Sequence, residues 1–134
     1  MKIDGSCHCG EVKFQAEVDP EKVVICNCTD CQTLSGSAFR INVFVEESNL
    51  NFLSGEPVEY IKTGESGNKR AQAFCSNCGT GLYATRAGEG PKVYGLRVGT
   101  VHQRDKLVPK RQAWLRSQLK WLSDLDSIPG METQ

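Results

Sequence analysis

Three thiols within six residues, Cys26-Asn27-Cys28-Thr29-Asp30-Cys31, constrain this chain more than any other stretch of it. Thiolates so crowded repel one another unless a cation sits among them. Zinc takes sulfur ligands at about 2.3 Å in a tetrahedron, and three protein ligands leave its fourth position open. The spacing suits such a site. Thr29 is the expected N-cap of a short helical turn, which sets Cys28 and Cys31 at i, i+3 on one face, with Cys26 close enough to join them. Two alternatives stand beside the metal: a redox disulfide, most naturally Cys28 to Cys31, or plain buried thiols.

Four further cysteines fall into two pairs. Cys7-His8-Cys9-Gly10 is a tight Cys-x-Cys turn, and Cys75-Ser76-Asn77-Cys78-Gly79 is a Cys-x-x-Cys knuckle followed by glycine. Each is half a zinc site. Together Cys7, Cys9, Cys75 and Cys78 make a closed, structural four-thiolate centre that staples the N-terminal hairpin to the middle of the chain. Seven cysteines are an odd number, so full disulfide pairing leaves one over, whereas four plus three accounts for all. His8 then reads as a turn residue, and His102 has no assigned task. Asp30 is the rival for the fourth position of the triad site, although it precedes Cys31 in a turn too tight to aim both side chains easily at one ion.

The 134 residues suit one domain, residues 1–134. Lys plus Arg equals Asp plus Glu at 16 each, so no global field draws the protein to nucleic acid or an anionic membrane. Polar residues precede any apolar run at the N-terminus, and nowhere do about 18 apolar residues follow one another; a soluble cytosolic protein is expected.

Period-2 alternation governs the rest. Val12, Phe14, Ala16 and Val18 alternate with polar residues, as do Phe39, Ile41, Val43 and Val45, and Val23 to Ile25 reads as a short buried strand delivering Cys26. Further strands are expected at 49–53, 58–63, 69–74, 81–85 and 93–98, separated by glycine-rich turns. Short strands at this spacing predict an all-β domain. In the last third, Trp114, Leu115, Leu119, Trp121, Leu122 and Leu125 suit either a helical face or a packed irregular tail.

Gly5-Ser6-Cys7-His8-Cys9-Gly10, the cysteine triad with Ser35-Gly36 after it, and Phe74-Cys75-Ser76-Asn77-Cys78-Gly79-Thr80 occur in an order that resembles the glutathione-dependent formaldehyde-activating enzyme family, also called the centromere protein V domain. The likeness runs on through Val98-Gly99-Thr100, Pro109 and Trp114 to Trp121-Leu122. It implies a β-tent of several small antiparallel sheets, a structural zinc on Cys7, Cys9, Cys75 and Cys78, and a second zinc on Cys26, Cys28 and Cys31 near a glutathione site. It also implies carbon–sulfur lyase chemistry, the formation or cleavage of S-hydroxymethylglutathione from formaldehyde and glutathione. Two positions depart from the family's pattern: Gln112 stands where many members have histidine, and Val101-His102 where an acidic residue follows the Gly-Thr.

Glutathione, the expected co-substrate, carries two carboxylates that suit arginine forks, with Arg40, Arg97 and Arg111 as candidates; for each, a solvated surface charge is the plainer reading. The competing class is a zinc-stabilised binding module. Residues 104–120 hold six basic side chains against Asp105 alone, a stretch able to touch phosphates, but zero net charge and the lack of a reading helix weigh against nucleic acid.

Overall fold

The computed structural model describes residues 1–134 and is mostly β. Ten strands form two sheets. The smaller contains β1 (Lys2–Ser6), β2 (Lys13–Glu17) and β5 (Leu50–Ser54) in the order β1-β2-β5. The larger contains β3 (Val23–Cys26), β4 (Arg40–Glu46), β6 (Val58–Thr63), β7 (Lys69–Phe74), β8 (Gly81–Arg86), β9 (Val93–Arg97) and β10 (Arg111–Ala113), in the order β10-β3-β4-β9-β8-β7-β6. All neighbours are antiparallel except β10 and β3. One short helix, α1 (Thr29–Ser35), follows β3.

The alternating pattern sorts side chains as expected. Along β2, Phe14 and Ala16 are buried between exposed Lys13, Gln15 and Glu17. They join Ile3 from β1 and Val43, Val45, Ala73, Tyr83 and Leu96 from the larger sheet in one core. Phe14, Phe52, Tyr83 and Tyr94 run through it as a chain of edge-on or tilted rings, with centroids 6.2, 5.7 and 4.9 Å apart. Gly5 is fixed by this packing, because a Cβ there would lie 2.4 Å from both Phe14 Cζ and the Thr100 carbonyl oxygen. The opposite face of the larger sheet mixes Arg40, Asn42, Gln72 and Arg97 with Val24, Phe44 and Ala84, and it carries the site described below.

Two expectations are corrected, and one left open is resolved. The N-cap of α1 is Cys28, not Thr29: Cys28 Sγ accepts from the Cys31 amide at 3.2 Å, so sulfur does what an oxygen cap ordinarily does. The tail forms no helical apolar face. Leu115–Ser117 and Lys120–Ser127 are 3₁₀ turns, and Trp114, Leu115, Trp121 and Leu125 are all exposed, which matches the irregular alternative in its backbone but not in its packing, Leu119 and Leu122 alone of the six being half-buried. Phe39 lies outside the strand, which begins at Arg40. Strands β1 and β10 were not marked by any alternation in the sequence. No helix is long and apolar enough to cross a membrane.

Candidate metal centres and the adjoining pocket

The turn between β1 and β2 brings Cys7 and Cys9 against Cys75 and Cys78 from the knuckle after β7, and all four sulfurs lie within 4.8 Å of one another. Two separations, Cys7 to Cys9 at 3.5 Å and Cys9 to Cys75 at 3.8 Å, are far from a bonded disulfide. They match the edge of a tetrahedron with 2.3 Å metal–sulfur bonds, about 3.8 Å. The knuckle is shaped by its backbone: the Gly79 amide donates to Cys75 O at 2.9 Å with Gly79 at φ +76, a left-handed turn that glycine adopts without penalty. Cys7 and Cys75 are buried in the core. The Thr80 hydroxyl lies 3.1 Å from Cys78 Sγ, and this hydrogen bond is the main reason the Cys78 thiol is held down at about 5. His8 is exposed and outside the cluster.

The second cluster is built from the end of β3 and the start of α1. Cys26, Cys28 and Cys31 bring their sulfurs within the same 4.8 Å limit. The Cys31 thiol is held down at about 5, first by a hydrogen bond from Cys26 and then by the Arg40 guanidinium, whose Nη2 donates to Cys31 Sγ at 3.1 Å. Cys26 is pushed up for the reciprocal reason, as it keeps the proton that Cys31 gives up. Asp30 does not reach the triad; its carboxylate pairs with Lys62 from β6. Both clusters therefore offer the donor set and spacing that a thiophilic metal ion takes, one closed and one with three ligands.

Asn27 explains how the triad loop is held. It is fully buried; its amide nitrogen donates to Ala113 O at 3.1 Å and to Gln112 Oε1 at 3.3 Å, tying the loop to β10. Gln32 bridges the other side, donating to Asn27 O at 3.0 Å and to Ser117 O at 2.9 Å. Sequence reasoning missed Asn27 and Gln32. Their signal, amides flanking the ligand cysteines, has meaning only once β10 is beside β3.

Beside the triad lies a chamber of about 220 Å³ lined from the larger sheet by both charged and apolar side chains. Arg40 and Asn42 reach it from β4, Arg97 from β9, and Arg70 and Gln72 from β7, while Ala84 and Gly95 leave the space open. Arg97 is 8% exposed, which corrects its reading as a solvated charge. It donates to Gln72 Oε1 at 2.7 Å, to Asn42 Oδ1 and to Gly95 O at 3.3 Å, all uncharged acceptors. Burial, then Arg40 and Arg70, pull it down to about 9, still well above neutral, and a guanidinium keeps its proton there. Arg111 is exposed on β10 and does not line the chamber. Arg70 was not anticipated.

A wider groove of about 740 Å³ opens outward from the same place, sharing Cys28, Asp30, Lys62 and Trp114 with the chamber. Trp114 is left-handed at φ 58, the single non-glycine residue with positive φ, and the Arg116 guanidinium stacks on its ring at 4.8 Å. A bulky residue in this conformation is strained, and such strain gathers at ligand sites. His102 lies elsewhere, bonded to Asp4 at 2.6 Å through Nδ1.

A Halomonas elongata protein provisionally named a glutathione-dependent formaldehyde-activating enzyme is 30% identical over 88 residues, which cover 62% of this chain. The chain spans about half, 55%, of the length of that curated relative. A crystal structure of a Rhodobacter sphaeroides protein shares the fold with a TM-score of 0.61 at 22% identity, covering 82% of this chain and 99% of that one. The family model described as glutathione-dependent formaldehyde-activating enzyme matches residues 2–117, so this chain belongs to that family.

Proposed function

We propose that the chain is a zinc-dependent carbon–sulfur lyase-type enzyme that makes or breaks the adduct between glutathione and a small carbonyl compound, formaldehyde being the family's. Residues 1–134 act as one domain, with a structural zinc on Cys7, Cys9, Cys75 and Cys78 and a second zinc on Cys26, Cys28 and Cys31. The observation that carries this reading is the convergence of three thiols, one of them bonded to the Arg40 guanidinium, at the mouth of a cationic chamber.

Bound at the triad, zinc supplies a positive centre that favours the thiolate form of a substrate thiol. The chain's own residues do the rest. Arg40 offsets the negative charge of Cys31, and the wide groove receives the peptide part of glutathione, with Arg116 on its Trp114 platform placed for a carboxylate. As sulfur adds to the carbonyl carbon, the oxygen becomes an alkoxide and takes a proton. Lys62 Nζ, which lines both chamber and groove, is the donor in this account, and Asp30 holds it in place. Because the addition also proceeds in water, the protein contributes chiefly by concentrating and orienting the partners.

Seven cysteines, none of them bonded in a disulfide, fit work in the cytoplasm on a small-molecule thiol. The alternative, a non-catalytic zinc-stabilised module, gains nothing from the chamber's three inward guanidiniums. The test is exchange NMR of glutathione and formaldehyde with zinc-loaded protein. Exchange into S-hydroxymethylglutathione should exceed the uncatalysed rate and fall to it in Cys31→Ser; exchange at the uncatalysed rate with intact protein, for formaldehyde and for other small carbonyl compounds alike, would leave the chain a binding module.

A further inference from the structure

The chamber holds more positive charge than an uncharged aldehyde requires. Arg40, Arg70 and Arg97 all line it, and its one carboxylate, Asp30, pairs with Lys62. With three thiolates (−3), a divalent ion (+2) and three guanidiniums (+3), the net charge is +2. Arg97 is the telling case, because it is more than nine-tenths buried and bonded to neutral oxygens only. Its opposite charges are the triad thiolates of Cys31 and Cys26, which a divalent ion would largely offset, and a buried guanidinium so placed gains when an anion arrives. Formaldehyde brings none.

The size of the space says which reactant carries that anion. Sites for drug-sized ligands measure about 300–1,000 Å³, and this chamber, about 220 Å³, falls below that range. The groove beside it, about 740 Å³, is large enough for a tripeptide that reaches inward with its sulfur. The inner chamber is left for the small carbonyl partner. Gly95 keeps it open: a Cβ there would stand 3.3 Å from Phe44 Cε1, over the floor that Arg97 and Asn42 share.

Building on the function proposed above, we propose that the carbonyl reactant is a short 2-oxo acid of the glyoxylate class, its carboxylate held by Arg70 and Arg97 while the thiol adds to its carbonyl carbon. One S–C bond forms, the π component of C=O breaks, and the thiol's proton ends on that oxygen. No electrons leave or enter the pair. Planar guanidiniums suit a carboxylate because two N–H groups meet its two oxygens at once.

Oxamate, an unreactive analogue of a 2-oxo acid, tests the site without turnover. Calorimetric titration of the zinc-loaded chain should give saturable one-site binding, at least tenfold weaker in Arg97→Gln and in Arg70→Gln at unchanged metal content, and unchanged in the exposed variant Arg111→Gln. Binding should persist at saturating glutathione. Absence of binding, equal affinity in Arg70→Gln, or displacement by glutathione would overturn the proposal, the last by showing that these arginines hold the thiol's own carboxylate. Adduct formation followed by NMR separates this proposal from the enzyme reading. A preference for glyoxylate over formaldehyde of at least tenfold, lost in Arg70→Gln, supports both. Catalysis with formaldehyde but not glyoxylate sinks this proposal alone, and oxamate binding as described with no adduct from either aldehyde sinks the enzyme reading alone.

Discussion

The Arg40 guanidinium donates to Cys31 Sγ across 3.1 Å, so the buried member of the triad meets a fixed positive charge before any metal arrives. Outer partners of this kind commonly change metal affinity by about 10–100-fold. Arg40→Gln should therefore surrender the triad's metal at roughly tenfold lower chelator concentration, while the metal on Cys7, Cys9, Cys75 and Cys78 is released as in the parent. Competition with a chromophoric chelator resolves the two steps, and identical release curves would remove Arg40 from this role.

The two centres should differ in what they do for folding. Cys75 is fully buried in the core, and loss of a closed structural zinc forfeits much of a binding free energy of about 10–16 kcal/mol in zinc-finger peptides. Cys75→Ser should be insoluble or unfolded. Cys28→Ser should keep its strand signal in circular dichroism and melt within a few degrees of the parent, because serine is itself a good N-cap where Cys28 Sγ now accepts from the Cys31 amide. Equal melting temperatures for the two variants would contradict the division of labour.

Trp114 separates strain from binding. Its left-handed backbone costs roughly 1–2 kcal/mol, which glycine would not incur, and its half-exposed ring contributes little to the core. Trp114→Gly should thus melt no lower than the parent but bind glutathione more weakly, through loss of the platform under Arg116. A variant that loses stability and keeps affinity would make the tryptophan a structural anchor.

Stability at high pH should report the aromatic core. Burial first and the nearby Glu59 second push the Tyr83 phenol up, and burial, Glu47 and Glu59 push Tyr94 up. For these acids the folded pKa is raised, so the folded state retains protons that the unfolded chain releases. Their contribution is complete below about pH 10, the unfolded tyrosine value, and shrinks as pH rises through the folded values. Tyr83→Phe, which removes one such group and its 3.1 Å bond to Glu59, should cost about 1 kcal/mol near neutral pH and show a shallower alkaline decline in denaturant melts. A decline as steep as the parent's would refute this assignment.

The division of seven cysteines into four and three could be read from spacing because metal ligation is enforced by local turns, and the geometry repeats that division. Strands β2 and β4 were legible for the same local reason, since one face of each must be apolar. The chamber was not. Arg97 faces Asn42 across the β4–β9 register and reaches Gln72 through β8 and β7, neighbours set by sheet order over a separation that no motif spans. Three-residue β10 carries no periodicity at all, yet it fixes Asn27 and hence the triad loop. Cys28 escaped notice as a cap because oxygen side chains dominate that position.

The central claim is that the metal on Cys26, Cys28 and Cys31 keeps a position for a substrate thiol, and cobalt substitution tests it most directly. Cobalt-loaded protein titrated with glutathione should show a saturable shift of one set of thiolate charge-transfer bands, leaving those of the four-cysteine centre unchanged, and Cys31→Ser should abolish the shift. A spectrum indifferent to every added thiol, together with unaltered turnover in Cys31→Ser, would contradict the account.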